Sequence, residues 1–365
     1  MLEDGANHDR NGGAVTTRIR KRTGRSTVLA AVVVGAATVL AVPGVGHAQG
    51  TTYYLSLGDS YAVGYQPSPT PGATSGFTGV VAAAKNFQLE NFACGGATTA
   101  SILSFPEQYC GANDLVNNPN GYGPPALVAT QGPVTGTQTQ LQAAEAFIAQ
   151  HPGQIGLITV SIGGNDVTPC AGASTTSPYN DATDPITCVV NGLGPIRANV
   201  TTLVDGLRTA LTTADGTKVG KKVPIVGITY PDVLLGLWVN SGPSGAPANS
   251  PAFPPSTANQ SLATESVLAF EGSTTLNIEG LNPALAAAYK TAKGKFVDVT
   301  KKTGAYTKLT RTTKMDIASL GLGTITVPKA VQEVCTLTWY CQLGNIHANT
   351  TGYNLIGQLV TKAAK

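Results

Sequence analysis

The stretch "GQIGLITVSI", residues 153–162, limits the possible folds more than any other in the chain. It is almost continuously apolar and shows no alternation between a dry face and a wet one. A strand of that kind is buried on both sides, as in a parallel sheet covered by helices. Its neighbours fit that picture. "TQTQLQAAEAFIAQH" before it sets Leu141, Ala144, Phe147 and Ile148 at helical spacing. After it, Ile196, Val200, Leu203, Val204, Leu207 and Leu211 share one helical face, and Gly216 ends the pattern.

The alternation continues along the chain. "TTYYLSL", "QLENFA", "KKVPIVGITY" and "KFVDV" read as strands, and "SGFTGVVAAAKNF" as a helix. "SLATESVLAFEGSTTLNIEGLNPALAAAYKTA" reads as largely helical with a break near Gly280 to Pro283. A last helix starts near Asn349 and carries Tyr353, Ile356, Val360 and Ala363 on one face. Loops rich in Gly, Pro and polar residues fill 104–136 and 241–257. The expected fold is α/β, a three-layer αβα sandwich with a mainly parallel central sheet. No internal repeat or second domain is visible. In such a sheet ligands bind outside the carboxyl ends of the strands.

The first 48 residues stand apart. Arg18, Arg20, Lys21, Arg22 and Arg25 precede the apolar "TVLAAVVVGAATVLAVPGVG", and small residues Gly46 and Ala48 follow. This order reads as a secretory signal peptide over residues 1–48, cleaved near Ala48, with residues 49–365 as one mature domain. The apolar run is long enough that a retained anchor is the competing reading. No Arg-Arg pair is present, so general export is expected. The formal net charge of the whole chain is only +3, and part of it lies in this segment. Nucleic acid is therefore not an expected partner. No stable membrane insertion is expected after signal removal, and the mature protein reads as a secreted monomer.

Six cysteines, Cys94, Cys110, Cys170, Cys188, Cys335 and Cys341, all follow the leader. An even count in an exported chain points to disulfides. They form three local couples along the sequence, which gives Cys94–Cys110, Cys170–Cys188 and Cys335–Cys341. A metal site is the competitor, but there is no Cys-x-x-Cys and the mature chain is poor in histidine. No metal or organic cofactor is expected.

Three polar corners follow strands. They are "LGDSYAVG" with Ser60, "NFACGGAT" with Gly95 and Gly96, and "GGND" with Asn165 and Asp166. Each alone is an ordinary turn. At one edge of one sheet they can face a single cleft. A serine nucleophile there needs a base. His8 and His47 fall in the leader, and His151 sits at a helix end where a cation complements the dipole. His347, in "GNIHANTTGY", remains.

These four blocks, in this order, resemble those of the SGNH hydrolases, also called the GDSL family of esterases and lipases. The resemblance runs from about Tyr53 to the C-terminus. It implies a flavodoxin-like fold, Ser60 as nucleophile, His347 as base, and an oxyanion hole formed by Ser60, Gly96 and Asn165. Gly95 stands where the family often has serine. A further departure lies beside the histidine. The family usually has Asp three residues before it, and this chain has Gly344. The resemblance then implies a Ser60–His347 dyad, with the main-chain carbonyl of Gly344 or a close neighbour orienting the ring. Glu333 and Asp316 are the alternative acids. The chain contains no Gly-x-Ser-x-Gly, so the α/β-hydrolase elbow is not its device. The implied activity is carboxylic ester hydrolysis on fatty acyl esters by a secreted lipase or esterase. Removal of acetyl groups from polysaccharide is the second reading, and a non-catalytic surface binding protein the third. "VLLGLW", Val233 to Trp238, reads either as an acyl-pocket wall or as core.

Overall fold

A strand that must be dry on both faces needs a neighbour on each edge and a helical layer above and below. All four are present. The computed structural model describes residues 50–67, 76–104, 138–171, 184–240, 253–321 and 323–365. The chain divides into two units, Met1–Ala48 and Gln49–Lys365, and every described residue belongs to the second. The expected leader, Cys110 and most of the loops expected over 104–136 and 241–257 lie outside the described residues.

The central sheet has five parallel strands. In chain order they are β1 (Tyr53–Gly58), β2 (Gln88–Asn91), β3 (Ile155–Ser161), β4 (Ile225–Ile228) and a fifth strand, Lys295–Val297. Their spatial order is β2-β1-β3-β4 and then the fifth. The chain leaves β1 towards β2 and later returns to the other side of β1 as β3. That reversal is the topological switch point, where open α/β sheets place their ligands. The register sets Gly58 beside Ser161, so the chain leaves β1 and β3 side by side at the same edge.

Period-two alternation sorts the strand residues between two cores. Tyr54, Leu157, Val226 and Ile228 join Phe77, Val81, Tyr353, Ile356 and Val360. These come from the helices Gly76–Lys85 and Thr350–Ala363. Leu55, Leu57, Ile158 and Val160 face the other way, onto Ala144, Ile148, Ile196, Val200, Leu203 and Leu285. These belong to Gln140–Gln150, Pro185–Asp215 and Leu281–Thr291. The result is an α/β fold of three layers, αβα. Full burial of one such side chain contributes roughly 1.5–3 kcal/mol, so each face holds its helices firmly.

A third apolar cluster stands off the sheet. It joins Leu235 and Val239 to Met315, Ile325, Val327, Val331, Val334 and Tyr340. Its scaffold is an antiparallel hairpin, Thr312–Asp316 with Thr324–Pro328, followed by the helix Lys329–Leu337. Two other segments differ from the sequence reading. The break expected near Gly280 falls earlier, in a small hairpin of Gly272–Ser273 with Ile278–Glu279. Pro283 then lies in the first turn of the next helix, where its missing N–H costs nothing. The helix Pro185–Asp215 also begins before Pro195 and runs through it.

Candidate active site

The site is built from three corners of the sheet edge and the loop that carries His347. At the first, β1 ends at Gly58, whose φ of 135° and close approach to β3 require glycine. A Cβ there would stand 2.0 Å from the Ser161 carbonyl oxygen. The Gln140 side chain pins this residue from both sides, accepting from the Gly58 N–H at 2.8 Å and donating to its carbonyl at 2.9 Å. Asp59 caps the short helix Ser60–Val63 by accepting from the Tyr61 N–H at 3.0 Å. Ser60 is the first residue of that helix, and Gly64 closes it in the left-handed conformation. Asp59 also accepts the Tyr230 hydroxyl, and the Gly164 N–H donates to that same hydroxyl at 3.2 Å. The nucleophile turn is thereby tied to the corner after β3. Burial pushes the Asp59 carboxyl up to about 7, against the opposing pull of the Tyr230 and Tyr61 hydrogen bonds.

The structure brings Ser60 and His347 together across 287 positions, with Ser60 Oγ 2.6 Å from His347 Nε2. Main-chain bonds hold the His347 loop. Its carbonyl accepts from Trp339 N–H at 3.0 Å, and the Asn349 N–H donates to Leu337 at 3.0 Å. The Tyr61 hydroxyl donates to the Ile346 carbonyl at 2.6 Å, joining this loop to the nucleophile helix. The imidazole packs against two phenol rings, stacked on Tyr61 at 5.6 Å and tilted against Tyr65 at 4.2 Å. Burial disfavours its charged form and lowers it to about 3.

At Nδ1 the structure departs from the expectation. The acceptor there is the Asn345 side chain, with Oδ1 at 2.8 Å, and not the Gly344 carbonyl. The reason is local geometry. Gly344, at φ 62°, ends the helix Tyr340–Leu343 in the left-handed region. The chain then closes an Asx turn, in which Asn345 Oδ1 also accepts the His347 N–H at 3.0 Å. The two alternative acids lie elsewhere. Asp316 is exposed and accepts the Ala318 N–H, and Glu333 packs near Gly304.

The second corner is the turn Cys94–Ala97, closed by Ala97 N–H to Cys94 O at 3.2 Å. Gly96 sits at its third position with φ 78°, the conformation a type II turn demands. Cys94 N–H donates to Gly58 O at 2.9 Å, which lays this turn beside β1. The third corner holds Asn165 on the short helix Gly164–Val167. One Asn165 Nδ2 proton goes to the Ala97 carbonyl at 2.9 Å. Asp166 accepts from the Thr99 N–H at 2.9 Å and hydroxyl at 2.7 Å, riveting the two corners together. Ser60, His347 and Asn165 are half-buried, and Gly96 is exposed.

Asp59, Ser60, Tyr61, Asn165, Tyr230 and Ile346 line a cleft open to solvent. An apolar chamber, itself partly open to solvent, adjoins it. Thr168, Val233, Phe270 and Ile346 border both spaces. The chamber is also walled by Val167, Val189, Leu262, Ala269 and Leu281. In the "VLLGLW" segment Leu235 and Leu237 belong to the third core, and Val233 and Leu234 pack against it while also lining the chamber.

Cys170 is bonded to Cys188 and Cys335 to Cys341. Cys94 is disulfide-bonded as well, and Cys110 lies outside the described residues. Among the described residues no cluster of His, Cys, Asp or Glu is placed to hold a metal ion, and no helix is long and apolar enough to cross a membrane. The sequence reading missed Gln140, Tyr230 and Asn345. Only Asn345 carried a signal, as an Asx-turn residue two places before the histidine.

No protein-family model matches this chain, and no curated protein matches it. Among solved structures, part of the chain is similar to a carbohydrate esterase whose active site is described as displaying divergent catalytic and non-catalytic binding functions. The likeness has a TM-score of 0.26 at 14% sequence identity, over 48% of this chain and 46% of that one. The chain thus matches less than half the length of that esterase.

Proposed function

We propose that this protein is a serine hydrolase of carboxylic esters, exported from the cell, whose substrates carry a fatty acyl chain. The observation that carries the reading is the 2.6 Å contact between Ser60 Oγ and His347 Nε2. Two side chains so distant in sequence meet at the switch point of the sheet, in the arrangement that activates a serine. Burial keeps the imidazole neutral and so able to accept a proton.

In this reading His347 takes the Ser60 hydroxyl proton as Oγ attacks the ester carbonyl. The developing oxyanion is held by the N–H groups of Ser60 and Gly96 and by the second Nδ2 proton of Asn165. His347 returns the proton to the departing alcohol oxygen. Water, deprotonated by His347 in turn, then releases the acyl group. Fixed donors of this kind act on charge that exists only in the transition state, which is why they raise turnover. Gly96 is exposed at the rim of the cleft, and its φ of 78° is the conformation that keeps this turn in place. Asp59 and Asp166 hold the corners in place and do not touch the reacting atoms.

The chamber beside the cleft supports a long acyl group over acetyl, because an acetyl group would leave that apolar volume without a function. The disulfides and the leader read over residues 1–48 support export. The test is hydrolysis of p-nitrophenyl esters of rising chain length, with Ser60→Ala as the control. Turnover by the wild type and loss of it in Ser60→Ala is expected. An acetyl optimum would move the assignment to the polysaccharide esterase, and no turnover on any ester or acetylated glycan would end the hydrolase reading.

A further inference from the structure

We propose that Asn345 is the positioning residue for His347, selecting its tautomer in place of a triad carboxylate. This rests on the hydrolase reading above. The inference follows from one atom with two contacts. Asn345 Oδ1 lies 3.0 Å from the His347 main-chain nitrogen and 2.8 Å from ring Nδ1. A main-chain N–H can only donate, so the atom facing it must be the amide oxygen and not the amide nitrogen. That oxygen can only accept, so Nδ1 must carry its hydrogen. Nε2 is then left with its lone pair, directed at Ser60 Oγ 2.6 Å away. A single amide orientation, fixed by the backbone, thus dictates the protonation state that general-base catalysis requires.

The step balances without an added acid. The Ser60 proton passes to Nε2, the Oγ–carbon bond forms, and the carbonyl electron pair moves to oxygen. The imidazolium keeps its Nδ1–H on Asn345 throughout, and the Nε2 proton leaves with the alcohol. Asn345 takes no proton at any stage. The loop offers the ring little freedom to find another partner. Tyr61 Oη holds the Ile346 carbonyl, Trp339 holds the His347 carbonyl, and Tyr61 and Tyr65 pack against the ring. The titratable groups around the imidazole are the Tyr61 and Tyr65 phenols and, behind Tyr61, the Asp59 carboxyl bound to the Tyr61 N–H.

Two variants of the full mature chain test this. Asn345→Asp keeps both acceptor contacts and adds a charge, and Asn345→Ala removes both contacts. In the wild type, ¹⁵N spectra of histidine-labelled protein should show His347 as the Nδ1–H tautomer. Asn345→Ala should lose that preference and lower kcat by roughly 10- to 100-fold with KM nearly unchanged. Asn345→Asp should keep kcat within about tenfold and move the acidic limb of kcat/KM upward by about one unit or more, because a carboxylate favours imidazolium. A merely structural asparagine would leave the His347 tautomer unchanged in Asn345→Ala. The proposal is overturned by an Nε2–H tautomer in the wild type, or by superimposable pH profiles for the wild type and Asn345→Asp. If no ester is hydrolysed but the tautomer still follows Asn345, the hydrolase reading fails and the Asn345 assignment stands.

Discussion

Replacing Ala269 with phenylalanine should separate long esters from short ones. Ala269 lies on the helix Thr257–Glu271 and faces the apolar chamber, but it is not among the residues that line the cleft around Ser60. A ring placed there fills the space proposed for the acyl tail and leaves the reacting centre alone. The size of the effect follows from burial. Each methylene taken out of water contributes about 0.8 kcal/mol, or about a fourfold gain in kcat/KM at 1.4 kcal/mol per factor of ten. Six methylenes separate acetyl from octanoyl, which sets a ceiling near 5 kcal/mol, or about 3 × 10³-fold. The wild type should therefore favour p-nitrophenyl octanoate over acetate by about 10²–10³ in kcat/KM. Ala269→Phe should erase most of that preference and leave acetate within about threefold. The assay is a chain-length series run below micelle-forming concentrations. A wild-type profile that is flat or falls with length would refute the chamber's role, as would an equal loss on acetate and octanoate in the variant.

Further expectations concern the site itself. Asn165→Ala should lower kcat by roughly 10²–10³-fold with little change in KM, as for other oxyanion donors; a change confined to KM would remove Asn165 from that role. His347 must be neutral to act, and burial lowers it to about 3. The acidic limb of kcat/KM should thus lie well below 6.5, the value of a free histidine, and a limb at or above 6.5 would contradict the burial argument. Replacing both Cys335 and Cys341 by serine should cost about 2 kcal/mol of stability in the chain-entropy picture. The same double variant should lower kcat, because the bonded pair brackets Thr338 and Trp339, which hold the His347 loop. Denaturant titration and steady-state kinetics on one preparation would read both effects.

The layered fold was legible because its signals are local. A dry strand announces itself as an unbroken apolar run and a one-sided helix by its period, as with Ile155–Ser161 and the Thr350–Ala363 helix capped by Asn349. The hairpin Thr312–Asp316 with Thr324–Pro328 escaped notice, since "TTKMD" is too polar to read as a strand and pairs only through its partner. The residues that bind the corners together were hidden for a related reason. Gln140 and Tyr230 act through hydrogen bonds to residues 82 and 171 positions away, and nothing in their own neighbourhoods marks them. Asn345 differs, because its turn is local and visible. What the sequence could not show is that the same oxygen serves the ring as well as the backbone.

The two members of the reactive pair are anchored differently. Ser60 begins a helix anchored in the sheet, and its neighbours Tyr61 and Ala62 sit in the core beneath it. The histidine is delivered by a loop with two anchors: Ile346 packs with the smaller third cluster, and Ala348 lies in the same core as Tyr61 and Ala62. Loosening that outlying cluster would release one of the two anchors and loosen the imidazole while the layered body stayed whole. Gentle heating should therefore silence the protein before any probe of the sheet registers a change, and cooling should restore it without a refolding delay.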